Sequence, residues 1–258
     1  MKYDRQSQIK QLFQEKKRVT IKELCDTFGI SVETARRDLN ELERDGTIRR
    51  IYGGAVLQDN SEGLDFMPPW DTRFTQNLAE KKAIAQELLT RIPDNSIIAL
   101  DSGTTIFELA KLLGAKKGLT ILTNDLRMAL EVSANTSHML YYIGGAVKKD
   151  DMITTGFLAN DFLKHFSHID VTVLSADGFN GNIGLTDYNV EMGTLKEAMV
   201  QKSSQVFVGA DHSKFLTSGF YKVCGIHDLS LVVTDVGASQ ASLEALREAG
   251  VEVVVVDP

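Results

Sequence analysis

The sequence predicts an α/β protein in two parts, a small winged helix-turn-helix head and a mostly parallel α/β sheet domain. Three observations carry this. Two short helical patterns with capping signals adjoin between residues 20 and 45, and a Gly-Gly pair follows them. From residue 77 onward hydrophobic runs alternate with helical patterns, the mark of a parallel sheet with crossover helices. Each of those runs ends in a cluster of small polar residues.

Residues 3–17 read as a first helix whose Ile9, Leu12 and Phe13 meet Val19 and Ile21 in a small core. Thr20-Ile-Lys-Glu23 is a capping box, followed by Leu24 and Phe28 at helical spacing and then by Gly29. In the next helix Ser31 is the N-cap and Gly46 the stop. Val32, Ala35, Leu39 and Leu42 fall on one narrow apolar face. Glu33, Arg37, Asn40 and Glu41 lie opposite, with Thr34 and Arg36 on the flanks. Two helices joined through Gly29-Ile30 make a helix-turn-helix, and paired arginines near the start of its second helix suit base edges and phosphates of duplex DNA. Residues 47–56 form a basic β wing turned at Gly53-Gly54.

The pattern stops from 58 to 76, which reads as a linker between a head at 1–57 and an α/β domain at 77–258. Asp59-Asn-Ser-Glu-Gly63 is turn-like and Met67-Pro-Pro-Trp70 stiff and extended, while Trp70 either docks on the second domain or stays exposed. Helices are then expected at 77–91, 105–113, 125–133, 188–201 and 239–249. Strands are expected at 96–100, 119–122, 139–143, 170–174, 205–208, 229–233 and 251–256. Asp150-Asp151 reads as a solvated turn.

Of the 258 residues, 43% are hydrophobic and 24% charged, values ordinary for a globular chain, and no apolar run is long enough to span a bilayer. The start leads straight into a polar helix, so a cytoplasmic protein with no secretory leader and no membrane partner is expected. Cys25 and Cys224 lack metal-ligand spacing, and His165 and His168 have no third ligand, so neither a metal nor a cofactor is expected. Net charge is −7, but residues 1–56 hold 12 Lys+Arg against 9 Asp+Glu and the remainder 16 against 26. A mildly basic head on an acidic body binds DNA weakly alone, so a homo-oligomer, dimer or tetramer, is expected.

In a parallel sheet the carboxyl ends of the strands share one edge, where ligands bind. Asp101-Ser-Gly-Thr-Thr105, Thr123-Asn-Asp125, Gly144-Gly145, Ser175-Ala-Asp-Gly178, Gly209-Ala-Asp-His-Ser-Lys-Phe215 and Thr234-Asp235 should all converge there. Gly103 admits a close approach to the backbone, and the hydroxyls of Ser102, Thr104 and Thr105 with the following amides form an anion cradle, to which Lys214 can add a cation. Neither Gly-x-x-x-x-Gly-Lys-Ser/Thr nor Gly-x-Gly-x-x-Gly occurs, which disfavours nucleotide binding.

The run Ser31…Thr34-Ala-Arg36-Arg37-Asp38-Leu39, the acidic helix end, the basic strand and Gly53-Gly54-Ala55 closely resemble the head of DeoR-type bacterial transcriptional regulators. Tyr52 stands where many members have histidine. The resemblance implies DNA contacts by Ser31, Glu33, Thr34, Arg36, Arg37, Asn40, Arg49, Arg50 and Tyr52. The second half resembles the effector domain of the same family, similar in fold to ribose-5-phosphate isomerase. The marks are Asp101-Ser-Gly-Thr-Thr105, Thr123-Asn124, Gly144-Gly145, Asp177-Gly178, Gly184-Leu-Thr186, Lys196 and Asp211-His-Ser-Lys-Phe215. That resemblance implies a phosphorylated sugar, with Ser102, Gly103, Thr104, Thr105 and Lys214 on the phosphate. Asp101, Asn124, Gly144, Gly145, Asp177, Glu191, Lys196 and Asp211 then surround the sugar. It implies a repressor of a carbohydrate-utilisation operon, released from operator DNA by that sugar phosphate. The rival is an isomerase or deaminase with a DNA-binding head. The isomerases carry an Asp-Gly-x-Asp run where this chain has Asp177-Gly-Phe-Asn180, and an amide cannot abstract a proton, so no catalytic residue is expected.

Overall fold

Nine buried apolar side chains, among them Ile9, Phe13, Leu24, Leu39 and Leu42, close the core of the amino-terminal unit. The computed structural model describes residues 2–16, 18–44, 47–51, 53–57, 69–180 and 183–258. The chain divides into two compact units, Met1–Gly63 and Leu64–Pro258.

The first unit holds α1 (Lys2–Lys16), β1 (Arg18–Thr20), α2 (Ile21–Phe28), α3 (Val32–Arg44), β2 (Ile48–Ile51) and β3 (Gly54–Leu57). The capping box forms: Thr20 Oγ1 accepts from the Glu23 amide at 3.1 Å, and Glu23 accepts from the Thr20 amide at 2.8 Å. Gly29 ends α2 in the left-handed conformation. The three strands pair antiparallel in the order β1-β3-β2. A side chain on Gly54 would meet the Val19 carbonyl at 2.3 Å, so only glycine lets β3 lie against β1 here. One expectation fails in α3. Val32 is 44% exposed and lies outside the buried face, whose second turn instead includes Asp38, 1% exposed and bound by Arg5 through bonds of 2.7 and 3.1 Å. A periodicity count treats aspartate as outward-facing and cannot anticipate a partner 33 residues upstream.

The second unit begins earlier than expected. Residues 70–75, assigned above to the linker, form helix α4 (Trp70–Thr75). Trp70 is 9% exposed and packs edge-on against Phe107, with centroids 5.6 Å apart. Then follow α5 (Leu78–Arg91), β4 (Ile97–Leu100), α6 (Thr104–Ala110), β5 (Thr120–Thr123), α7 (Leu126–Asn135), β6 (Met139–Tyr142), β7 (Ala146–Lys148), β8 (Ile153–Thr155) and α8 (Phe157–Lys164). The chain continues through β9 (Ile169–Ser175), β10 (Gly178–Asn180), β11 (Gly184–Asp187), α9 (Val190–Lys202), β12 (Ser203–Gly209), β13 (Tyr221–Cys224), β14 (Leu231–Asp235), α10 (Gln240–Glu248) and β15 (Glu252–Val256). Each anticipated strand forms, and seven of them build one parallel sheet in the order β15-β14-β12-β9-β4-β5-β6.

Alternate residues of the strands feed opposite faces. Ile98, Leu100, Val171, Val173 and Val233 pack with Ile84, Leu88 and Leu109 of α5 and α6. Ala99, Leu122 and Ile169 face Leu163 of α8 and Leu195 and Met199 of α9. Besides α4, three further pieces were not expected from the sequence: α8, the β7–β8 hairpin and the small sheet β10-β11-β13. Their strands are three or four residues long, and all four residues of β11 are buried, so no alternation marks them.

The chain moves from β4 outward to β5 and β6, then returns to β9 beside β4 and continues the other way. The strand order therefore reverses between β4 and β9, the switch point where open α/β sheets take ligands.

Candidate functional site

Ser31, just before α3, and Val32, Glu33, Arg36, Arg37, Asn40 and Glu43 on it are exposed, with Thr34 half-buried. Ser31 Oγ accepts from the Thr34 amide at 3.2 Å, which orients the helix start and leaves the two arginines in its first two turns facing outward. Arg49 and Arg50 lie in β2, but their side chains, and all of Tyr52, lie outside the described residues.

In the second unit a two-lobed cleft opens at the carboxyl edge of the sheet, over the switch point. One lobe, of 440 Å³, is lined by Arg73, Lys81, Thr104, Thr105, Asp211 and Lys214 among others. The other, of 400 Å³, is lined by Trp70, Ser102, Asp125, Asp151, Asp187 and Lys196 among others. Arg73, Gly103 and Asp177 line both and so mark the border. Gly103 stands there for a steric reason: a side chain on it would meet Ser175 Oγ at 2.6 Å, where α6 begins against the end of β9. No side chain caps α6, so the hydroxyls of Thr104 and Thr105 are not spent on its amides.

Behind the second lobe sits a buried charge cluster. Lys196 Nζ lies 3.2 Å from Asp101 and 2.8 Å from Asp187. Ser175 donates to Asp101 from its amide at 3.0 Å, and its hydroxyl lies 2.6 Å from the same carboxylate oxygen and 2.7 Å from the Ser102 carbonyl. Burial works against the Lys196 charge, yet Asp101, Asp187 and Asp177 hold the ammonium well above the ordinary lysine range. Three carboxylates share one ammonium, and the excess appears at the border. Burial, with Asp187 and Asp101 adding to it, pushes Asp177 up to about 6 against the pull of Lys196. Burial likewise raises Asp125 to about 6, although its carboxylate caps α7 by accepting from the Arg127 and Met128 amides.

The first lobe is cationic. Burial lowers Lys81 to about 8, opposed by the charge of Asp211. Asp211 itself lies below its usual range: burial would raise it, but Ser213, Lys214 and the Asn77 amide group at 2.8 Å outweigh that.

The residues expected around an effector thus separate. Ser102, Gly103, Thr104, Thr105, Asp177, Lys196, Asp211 and Lys214 line the cleft. Asp101 lies behind it, buried under Ser175 and Lys196. Asn124 is fully buried, donating to the Thr154 carbonyl at 2.9 Å. Gly144 and Gly145 precede the β7–β8 hairpin, and Glu191 accepts from the Thr155 hydroxyl of that hairpin at 2.7 Å; none of these three lines either lobe. Conversely, Arg73, Lys81, Asp151 and Asp187 line the cleft without having been anticipated, and Asp125 lines it as one of the strand-end residues expected to converge there. Arg73 fell in the expected linker and Asp151 in an expected solvated turn. The latter is instead held at 2.8 Å by Arg73, with only 18% of its side chain exposed.

Among the described residues no helix is long and apolar enough to cross a membrane. Residues 5–61 match the DeoR-like helix-turn-helix domain, and residues 76–236 match the DeoR C-terminal sensor domain. The transcriptional repressor AccR of Agrobacterium fabrum is 35% identical over 95% of this chain and 93% of its own. The HTH-type transcriptional regulator YulB of Bacillus subtilis is 33% identical over 98% and 96%. The glycerol-3-phosphate regulon repressor of Escherichia coli is 29% identical over 95% of each. A ribose-5-phosphate isomerase structure aligns with 57% of this chain and 55% of its own at a TM-score of 0.40 and 19% identity, too partial a likeness to bear on the cleft. With a helix-turn-helix that presents Arg36 and Arg37, and a sensor domain opening at its sheet edge, the chain belongs to the DeoR family and is a transcriptional regulator, not an enzyme.

Proposed function

We propose that the protein represses a carbohydrate-utilisation operon, gripping operator DNA as a homo-oligomer through α3 and the wing and releasing it when a phosphorylated sugar fills the cleft. The observation that carries this is the make-up of the cleft: Thr104, Thr105, Lys81 and Lys214 line one lobe beside Asp211, and Asp125, Asp151 and Asp187 line the other with Lys148 and Lys196. The first suits a phosphate and the second the hydroxyls of a sugar. That the relatives include a glycerol-3-phosphate regulon repressor supports the same ligand class. In this reading Gly103, Thr104, Thr105 and Lys214 take the phosphate and Asp177 and Lys196 face the sugar, while Ser102, expected on the phosphate, lines the sugar lobe and Asp211, expected on the sugar, lines the phosphate lobe. Asp101 positions Lys196 from behind.

Because the sensor domain is net acidic, the phosphate is held by local donors and not by the overall field. Charge-assisted bonds are worth about 1.5–3 kcal/mol each, so the unphosphorylated sugar is expected to bind at least ~100-fold more weakly. The test is fluorescence anisotropy of labelled operator DNA titrated with a panel of sugar phosphates and their unphosphorylated counterparts. Lys214→Ala and Thr104→Val should bind operator like the wild type but resist release. Release of both variants at the wild-type effector concentration overturns the assignment.

A further inference from the structure

Two cations of the first lobe belong to no motif named so far. Lys81, 3% exposed, donates to the backbone carbonyls of Arg73 and, at 2.6 Å, of Gln76. An ammonium has three N–H groups, so two fixed carbonyls leave one for the lobe that Lys81 lines. Arg73, at the border of both lobes, donates to Asp151 Oδ1 at 2.8 Å. Asp151 has a second cation available, since Lys148 lies 3.4 Å from its other carboxylate oxygen. Arg127 also donates to the Asp151 backbone carbonyl, which fixes that loop whatever its side chain does.

We propose that Arg73 and Lys81 complete the anion site of the cleft, and that Asp151 holds Arg73 in reserve until an anionic ligand takes it over. The inference rests on reading this lobe as a phosphate site. A phosphate presents three oxygens: Lys214 and the α6 hydroxyls approach from one side, while Arg73 and Lys81 approach from the α4 side. A guanidinium can turn its fork from one oxyanion to another. Burial lowers Lys81 to about 8, with the charges of Lys214 and Arg73 adding to it and those of Asp211 and Glu108 opposing it. The charge of a bound dianion favours the ammonium form and so offsets that burial cost. Because Lys81 grips the carbonyl of Arg73 itself, both cations bear on the same short helix, the first described element after the segment leading from the head.

The experiment uses the full chain and inorganic phosphate, followed by isothermal titration calorimetry. Arg73→Gln should weaken phosphate about tenfold, the worth of one charge-assisted bond. Asp151→Asn should tighten it severalfold, and that gain should vanish in the Arg73→Gln background if it acts through Arg73. A gain that persists in full there, or phosphate affinity unchanged in Arg73→Gln, overturns the role of Arg73. For Lys81, whose replacement by a neutral residue threatens the fold, the readout is proton uptake with sulfate, which does not titrate near pH 8. Wild-type protein should take up about half a proton per sulfate at pH 8, read from heats in buffers of different ionisation enthalpy, and Lys81→Arg should take up none. Absence of uptake in the wild type overturns the role of Lys81. If wild-type protein binds neither phosphate nor any phosphorylated sugar, the reading of the lobe fails; if it binds and the variants behave as the wild type, this inference alone fails.

Discussion

The head and the sensor domain each bury charge, and they do so differently. In the head Asp38 meets Arg5 through two bonds, with Arg5 still 28% exposed and Glu41 nearby adding to the hold on its charge. In the sensor domain Lys196 is paired with Asp101 and Asp187, all three at most 3% exposed, and Asp177 adds its charge while also feeling Lys214. The first arrangement is close to water and fastens α1 to α3. The second is unbalanced by design of its residues, leaving Asp177 at the cleft with a proton to give or keep near pH 6. A matched buried pair is a structural fastening; a mismatched one at a cleft is a receptor for whatever completes it.

The largest expected effect comes from removing the one ammonium. Lys196→Met leaves Asp101 and Asp187 buried without a counter-charge, which should cost about 3–5 kcal/mol in urea denaturation of the sensor domain. A loss under 1 kcal/mol would mean that the cluster is neutral and protonated and not ionic. Next comes pH. Asp177 in the folded chain titrates at about 6, above its ordinary 3.8, so its contribution is full below about 4 and is lost as pH rises through 6. The gap corresponds to at most roughly 3 kcal/mol. Sensor-domain stability should therefore fall between pH 4 and 7, and Asp177→Asn should flatten that fall; a fall of equal size in the variant assigns it to other groups, Asp125 first. The smallest stability effect belongs to the head's outward arginines. Arg37→Ala should change stability by less than about 0.5 kcal/mol. It should still cost about 1–3 kcal/mol of operator affinity if it reads a base, or flatten the salt slope by about 0.9 if it contacts a phosphate. Unchanged operator binding in an Arg36→Ala/Arg37→Ala double mutant removes α3 from the DNA interface.

The same contrast governs what was legible in the sequence. The head's helices are announced by local chemistry, the Thr20–Glu23 box and the left-handed Gly29, and the strands of the parallel sheet by continuous apolar runs. Ser102, Gly103, Thr104 and Thr105 could be placed because a strand end and a helix start are local events. Arg73, Asp151 and Asp187 could not. Asp187 reaches Lys196 from a four-residue strand with no alternation, and Arg73 meets Asp151 across 78 residues of chain. Asn124 and Glu191 were drawn towards the ligand by the family pattern, yet their hydrogen bonds go to the β7–β8 hairpin, which no periodicity foretold.

Trp70 gives this fold a built-in lamp. It is the chain's single tryptophan, it lines the cleft, and the guanidinium of Arg127 lies 4.3 Å from its ring centroid with that of Arg73 at 5.7 Å. Indole emission responds to nearby charge, and both arginines also bind Asp151. Any ligand that draws Arg73 off Asp151 redistributes charge above the only strong fluorophore in the molecule. A ligand that did so would report its own binding through the protein's emission spectrum, with no label attached and no DNA in the cuvette.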